Sequence, residues 1–559
     1  MNDLLIKNAD LYDGLGNPAR RADLAVTGDR ITAIGTQLGE AATVVDGTGL
    51  ALMPGIIDSH THYDAQLTWD PSASPSPALG VTTVLMGNCG FSIAPCKPEA
   101  RDLNLRNLTF VEGMSLETLR AGVNWQFETF PQYLDFIEKQ GVGVNAAAYV
   151  GHSTVRSWVM GDEASARAAT AQEIDQMRAI IREALEAGAV GFSSTTSFQH
   201  NGENGVPMPS RLAKDEEFQA LVSTLGECGK GVFMMTKSSE TRPPWLQSVA
   251  AAAKRPFLVA ALLHNPMVPD AVFDDMRGVA QGREQGLQMF GAVSCCPLKF
   301  EFDMREPYIF EGLKSWKPAM SVRGAQARDL FADRGFRQTV KDELAIKVRR
   351  VFTGDWEKVH VVQVNDPAHQ KYEGHSVAEL AAADGIHPFD WLLNLSLEED
   401  LRTAFTAVLL NADEDAVARL LTDVNSIVSL SDAGAHTTFF NDAGFGLHLM
   451  GYWARDKKLM SLERAAQKLT SEQARLFGFK NRGVLQTGAF ADLLLFDPAT
   501  VGREAAKRHF DLPAKGTRLI TPARGVEKVW VNGRLVADAH GMRSDAGRPG
   551  RVLRDFASN

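Results

Sequence analysis

Two histidines one residue apart, His60 and His62, close the run Pro54-Gly55-Ile56-Ile57-Asp58-Ser59-His60-Thr61-His62. The apolar pair Ile56-Ile57 ahead of them reads as a buried strand. Side chains two apart on a strand point to one side. Two imidazoles on one side of a strand end can grip one divalent cation, and imidazole is a common zinc ligand. The plainer reading is a pair of surface histidines in a turn. The flanking Pro54-Gly55, the buried-type strand and a distant aspartate favour the metal. That aspartate is Asp432, in Ser431-Asp432-Ala433-Gly434-Ala435-His436. It offers a ligand oxygen and a base for water that a cation has acidified; an Asx turn or helix cap is its plainer use. His436 beside it either orients substrate or supports the site from behind.

Other candidates also follow apolar runs. Cys89, in Gly87-Asn88-Cys89-Gly90-Phe91, is flanked by glycines that let the backbone approach a small buried site. A thiolate is a strong zinc ligand, although cysteine is also a common structural core residue. His264, after Leu262-Leu263, is a candidate metal ligand or a core histidine. His152, in Val150-Gly151-His152, either serves the site or bonds within the wall. Arg211 ends a polar loop from Ser193, punctuated by glycine and proline and suited to contacting substrate. Its guanidinium can anchor a carboxylate through two parallel hydrogen bonds or pair with a loop acid.

These residues need a frame. Apolar runs at Ile56-Ile57, Thr83–Met86, Asn145–Val150, Ala189–Phe192, Val232–Met235, Phe257–Leu263, Gln288–Val293 and Ile427–Leu430 alternate with helical stretches such as residues 171–185. That pattern predicts an α/β fold, a (β/α)₈ barrel over 55–481, with chemistry at the C-terminal strand ends. Residues from about 300 to 425 read as a mostly helical elaboration between the last two strands, including a Trp- and Pro-rich loop at 306–318. Short alternating runs with Asp-Gly and Gly-Asp turns fill residues 1–54, and similar runs follow 482. Neither end is thick enough alone, so 1–54 and 482–545 are expected to form one small β-sandwich.

Composition bounds the function. The chain has 559 residues, 45% hydrophobic and 23% charged, with a net charge of −10. This suits a globular enzyme and argues against nucleic acid or an anionic membrane as the main partner. No apolar run approaches a membrane span, and the N-terminus lacks the cationic and apolar segments of a signal peptide. Five cysteines do not make a disulfide framework in a chain this long. A cytoplasmic location is expected; assembly as a homo-oligomer is left open.

With these residues in view, the chain resembles the metal-dependent amidohydrolase superfamily through Val45-Asp46-Gly47 and the His60–His62 run. More narrowly, it resembles the N-acyl-D-amino-acid deacylase (D-aminoacylase) group. Gly80-Val81-Thr82-Thr83-Val84, the segment from Gly87 to Pro95, Val150–Arg156, Gly191-Phe192-Ser193-Ser194, Ser431–His436 and the tail to Asp497 carry that likeness. The resemblance implies a β-sandwich plus barrel, one or two zinc ions and hydrolysis of an amide. It implies His60 and His62 as strand-one ligands, Cys89 as the strand-two thiolate and Asp432 as the base. It departs at strand five, where the family has a metal-binding histidine and this chain has Thr236. His264 also falls later than the family pattern. Lys237 next to Thr236 is either a carboxylated lysine acting as a ligand, or an ammonium that binds a substrate carboxylate or Glu240. The expected substrate is a small amide, foremost an N-acyl amino acid. A cyclic or xenobiotic amide, or a metal-free binding or assembly subunit, are the alternatives.

Overall fold

The computed structural model describes residues 1–557 apart from 203, 204, 306, 349 and 437, and only the backbone of 110–112. Glu203 and Asn204 of the polar loop, and Glu306 at the start of the Trp- and Pro-rich loop, therefore lie outside the described residues.

Eight parallel strands form one sheet in chain order: Ile56–Asp58 (β1), Val81–Met86 (β2), Asn145–Gly151 (β3), Gly191–Thr195 (β4), Val232–Thr236 (β5), Phe257–Ala260 (β6), Met289–Val293 (β7) and Ser426–Val428 (β8). Nearly every residue in them is buried, as expected when helices cover a parallel sheet. The sheet curls until its edge strands meet beyond their C-terminal ends. There Thr61 bridges Ala433, His62 N–H donates to Ala433 O (2.7 Å) and Asp432 N–H to His60 O (3.1 Å). Gly191 is required where β4 meets β5, because a Cβ there would lie 1.8 Å from the Val232 carbonyl oxygen.

The helix Ala171–Ala187 shows how the outer layer is specified. Thr170 and Glu173 form a capping box at its start, and Gly188 ends it in the left-handed region at φ 107°. Met177, Ile181, Ala184 and Leu185 are its buried stripe.

The two ends of the chain pair into one nine-stranded sheet. Ala51–Pro54 runs antiparallel to Leu493–Phe496, with Leu494 opposite Met53. Leu4, Ile6, Leu24, Val26, Leu493 and Trp530 share its core. The expected 482–545 unit is not all sheet. Residues 507–520 form a hairpin that reaches the barrel, where Arg518 Nη1 donates to Ser74 O at 2.8 Å.

The segment between β7 and β8 is helical in large part, but it also holds an antiparallel sheet of Leu298–Phe302, Ala404–Leu410 and Val359–Gln363. It has its own aromatic core around Phe310, Trp316, Phe331 and Phe389. Among the described residues no helix is long and apolar enough to cross a membrane.

Candidate metal centre and its cavity

Strand alternation puts His60 and His62 on one side of the chain leaving β1. Thr61, between them, turns to the neighbouring strand, where its N–H and Oγ1–H donate to Leu85 O at 3.0 and 2.7 Å. The loop after β2 brings in Cys89. Gly87 and Cys89 are left-handed (φ 79° and 58°), and Asn88 Nδ2 ties the loop to Thr61 O (3.1 Å) and Leu85 O (3.0 Å). A Cβ on Gly87 would sit 2.4 Å from Tyr149 O, so the turn cannot take a side chain there.

The ligand atoms of His60, His62 and Cys89 lie within 4.8 Å of one another, all buried. Cys89 Sγ is 3.4 Å from His60 Nε2. Asp432, left-handed at φ 49°, arrives from beyond β8 with Oδ1 3.1 Å from His60 Nε2 and 3.7 Å from His62 Nε2. Burial would raise the Cys89 thiol, but His60 and His62 outweigh it and hold it below its usual value. Burial would raise Asp432 too, and the same two histidines keep its carboxyl well below the usual range. Burial opposes charge on His60, yet Cys89 and Asp432 lift it to about 9. Three ligand atoms therefore converge, the Asp432 carboxylate stands beside both imidazoles, and the charge that His60 carries lies where a cation fits. Two imidazoles, a thiolate and a carboxylate make a zinc donor set.

The cluster opens into a cavity walled also by His200, Lys237, Arg350 and His436. Thr236, in the position where the resemblance expects histidine, presents Oγ1 3.1 Å from Cys89 Sγ. Lys237 Nζ is 2.9 Å from Asp275 Oδ2, both side chains buried. This is the pairing of an ammonium; a carboxylated lysine would set two anions together, so the geometry opposes Lys237 as a ligand. Arg350 caps the preceding helix through Glu343 O (2.9 Å) and Leu344 O (2.7 Å), leaving a buried Nε without a hydrogen bond among the described residues.

Three expected site residues stand elsewhere. His264 does not join the cluster or the cavity wall. Its ring lies by Phe273, and burial with the field of Asp413 and Arg419 sets its protonation, the net effect downward. β6 stops at Ala260, earlier than the apolar run to Leu263 suggests, which removes the strand parity that would have aimed His264 inward. His152 is fully enclosed: Nδ1 meets Ser194 Oγ and Nε2 meets Glu217 Oε1, each at 2.8 Å. It has no nitrogen left for substrate. Arg211 is spent on the loop, bonding His200 O (3.2 Å) and Asn201 Oδ1. His436 does line the cavity, packed against Tyr308 and Phe439 with ring centroids at 5.7 and 5.1 Å. The sequence reading passed over His200, the histidine within the polar loop it had marked for substrate.

A curled parallel sheet with such a donor set at the C-terminal ends of its strands defines a metal-dependent enzyme of the α/β-barrel class. A family model described as "Amidohydrolase family" matches residues 43–537. A D-aminoacylase of Alcaligenes xylosoxydans xylosoxydans is 32% identical over 99% of this chain and 97% of its own. An N-acyl-D-aspartate deacylase of the same organism is 30% identical over 99% of this chain and 95% of its own. The solved N-acyl-D-glutamate deacylase of Bordetella bronchiseptica, complexed with zinc and a phosphonate mimic of the tetrahedral intermediate, matches with TM-score 0.67 and 25% identity, over 99% of this chain and 100% of its own. The chain belongs to the amidohydrolase family.

Proposed function

We propose that this protein hydrolyses the amide bond of N-acyl amino acids, those of D configuration first, using zinc held by His60, His62, Cys89 and Asp432. The observation that carries the reading is the convergence of those four donors at a cavity with two cationic groups in its wall, Lys237 and Arg350. A bound zinc ion supplies a Lewis acid and an acidified water. Asp432 is held ionised and keeps its side chain 23% exposed toward the cavity, so it can accept the water's proton and return it to the leaving nitrogen. The C–O bond forms, the C–N bond breaks, and a carboxylate and an amine result. Lys237 and Arg350 attract the substrate carboxylate; His436 borders the same space.

A hydantoin or an unsubstituted dihydropyrimidine carries no carboxylate for these two cations to meet. A metal-free binding subunit leaves the convergence of thiol, carboxylate and imidazoles unexplained. The same reading takes the curled sheet as a closed (β/α)₈ barrel over 55–481. It takes 1–54 and 482–545 as a β-sandwich from which the 507–520 hairpin departs. Five free cysteines suit the cytoplasm. The test is amine release from a panel of N-acetyl-D- and N-acetyl-L-amino acids beside hydantoins and dihydropyrimidines. Turnover of the D series supports the reading, and turnover confined to the cyclic amides overturns it.

A further inference from the structure

On the cavity wall stands His200, a histidine to which the metal and the base assign no task. It faces the same space as His62, Cys89 and Asp432, yet it is not part of the ligand cluster. Its surroundings fix which nitrogen carries its proton. His200 Nδ1 lies 2.7 Å from Thr195 Oγ1. That hydroxyl lies 3.1 Å from Thr236 O, where it donates its one hydrogen, and it accepts the Ser197 N–H at 3.0 Å. If Thr195 donated to the imidazole instead, the bond to Thr236 O would be lost. All three contacts are satisfied only when His200 Nδ1 is the donor. The lone pair is then on Nε2.

Among the described residues, no hydrogen bond is made to that nitrogen. The ring packs edge-on against Phe91, centroids 4.9 Å apart. The backbone beneath is pinned from two sides, since His200 O accepts from Arg211 Nη1 and from Met208 N–H, each at 3.2 Å. Burial first, then His436, His62 and Arg211, outweigh the opposing pull of Asp432 and push the imidazole down to about 3, so it stays neutral in ordinary buffers.

We propose that His200 Nε2 accepts the N–H of the scissile amide and so orients the leaving nitrogen. The inference rests on the amide-hydrolase reading above. A secondary amide entering a buried cavity loses the water bonded to its N–H and needs an acceptor in return. Lys237 and Arg350 in the same wall are donors, Asp432 is committed to the histidines and to the water's proton, and His200 is the imidazole whose lone pair its surroundings fix. Holding the N–H on His200 leaves the nitrogen lone pair, which forms as the carbonyl carbon becomes tetrahedral, free to take the proton that Asp432 returns. Arg211 then acts as a positioning residue, through the His200 carbonyl.

The experiment compares an N-acetyl amino acid with its O-acetyl hydroxy-acid ester, which has the same carboxylate and acyl group and no N–H. In His200→Ala, kcat/KM for the amide is expected to fall by about 10- to 100-fold, the loss of one hydrogen bond made in a buried site. The ester is expected to change by less than about threefold. Zinc content is expected to stay at the wild-type level, and His200→Gln to restore part of the amide rate. Equal loss on amide and ester, no loss on either, or zinc leaving with the imidazole overturns the inference. Nitrogen spectra of ¹⁵N-histidine-labelled wild-type protein give a readout that needs no variant. The Nδ1–H tautomer at His200 is expected, and the Nε2–H tautomer or an imidazolium at neutral pH contradicts it. A wild-type enzyme inactive on every N-acyl amino acid would instead overturn the functional reading, whatever the tautomer.

Discussion

Lys237→Met removes half of a buried ion pair. Nζ lies 2.9 Å from Asp275 Oδ2, and the two side chains are 2% and 7% exposed. A carboxylate left buried without its cation costs about 3–5 kcal/mol. The entropy of unfolding is roughly 2.1 cal/mol/K per residue, which over 559 residues comes to about 1.2 kcal/mol/K. The midpoint of thermal unfolding should therefore fall by about 2.5–4 °C for a chain that melts as one unit. Adding Asp275→Leu should recover most of the loss, because a buried pair replaced whole by apolar groups costs little. Calorimetry reads the midpoint, and elemental analysis of the same samples reads zinc, which should not change. KM for an N-acyl amino acid should rise with kcat nearly constant, the mark of lost uniform binding. An unchanged midpoint would deny the ion pair. Zinc lost in step with the ammonium would make Lys237 a ligand and refute the reasoning.

Asp432→Asn should lower kcat/KM by about 10²- to 10⁴-fold, the usual contribution of a positioned base, while three donors keep much of the zinc; full activity would remove the base. Cys89→Ser should weaken metal retention on dialysis, and in cobalt-loaded protein it should erase the thiolate charge-transfer absorption. Persistence of that absorption would show the thiol is not bound. Glu399, in the segment between β7 and β8, is held at about 2 against its burial by the Asp366 and Asn365 N–H groups and His369. Its folded value lies below the unfolded one, so its stabilisation is complete above about pH 4.5 and is lost as pH falls toward 2. Acid titration followed by tryptophan fluorescence should show this transition, and Glu399→Gln should flatten it; identical profiles would contradict the assignment.

The strands of the parallel sheet were legible because they are buried almost throughout and read as apolar runs. The same runs end where chemistry belongs, which is why His60, His62, Cys89 and Asp432 could be drawn from the sequence and are found together. What stayed hidden depended on where strands stop and on partners distant in sequence. The run Phe257–Leu263 gives no sign that β6 ends at Ala260, and His264 was misplaced by that difference. His152 opens a helix, His152–Met160, and is claimed by Glu217 from another helix, a contact no local pattern announces. Arg211 has the chemistry of an anchor, but it faces its own loop. The sheet inside the segment between β7 and β8 stayed hidden too: Ala404–Leu410 alternates intermediate and buried residues in the structure, but in sequence only Thr406 interrupts its apolar run. His200 was visible as a residue and became interpretable only once Thr195, Thr236 and Phe91 surrounded it.

The central claim is that one cation sits among His60, His62, Cys89 and Asp432. X-ray absorption at the zinc edge of the purified protein tests it most directly. The account predicts a single sulfur neighbour at about 2.3 Å together with nitrogen and oxygen neighbours at about 2.0–2.2 Å. A first shell without sulfur, or protein that takes up no zinc when loaded, contradicts it.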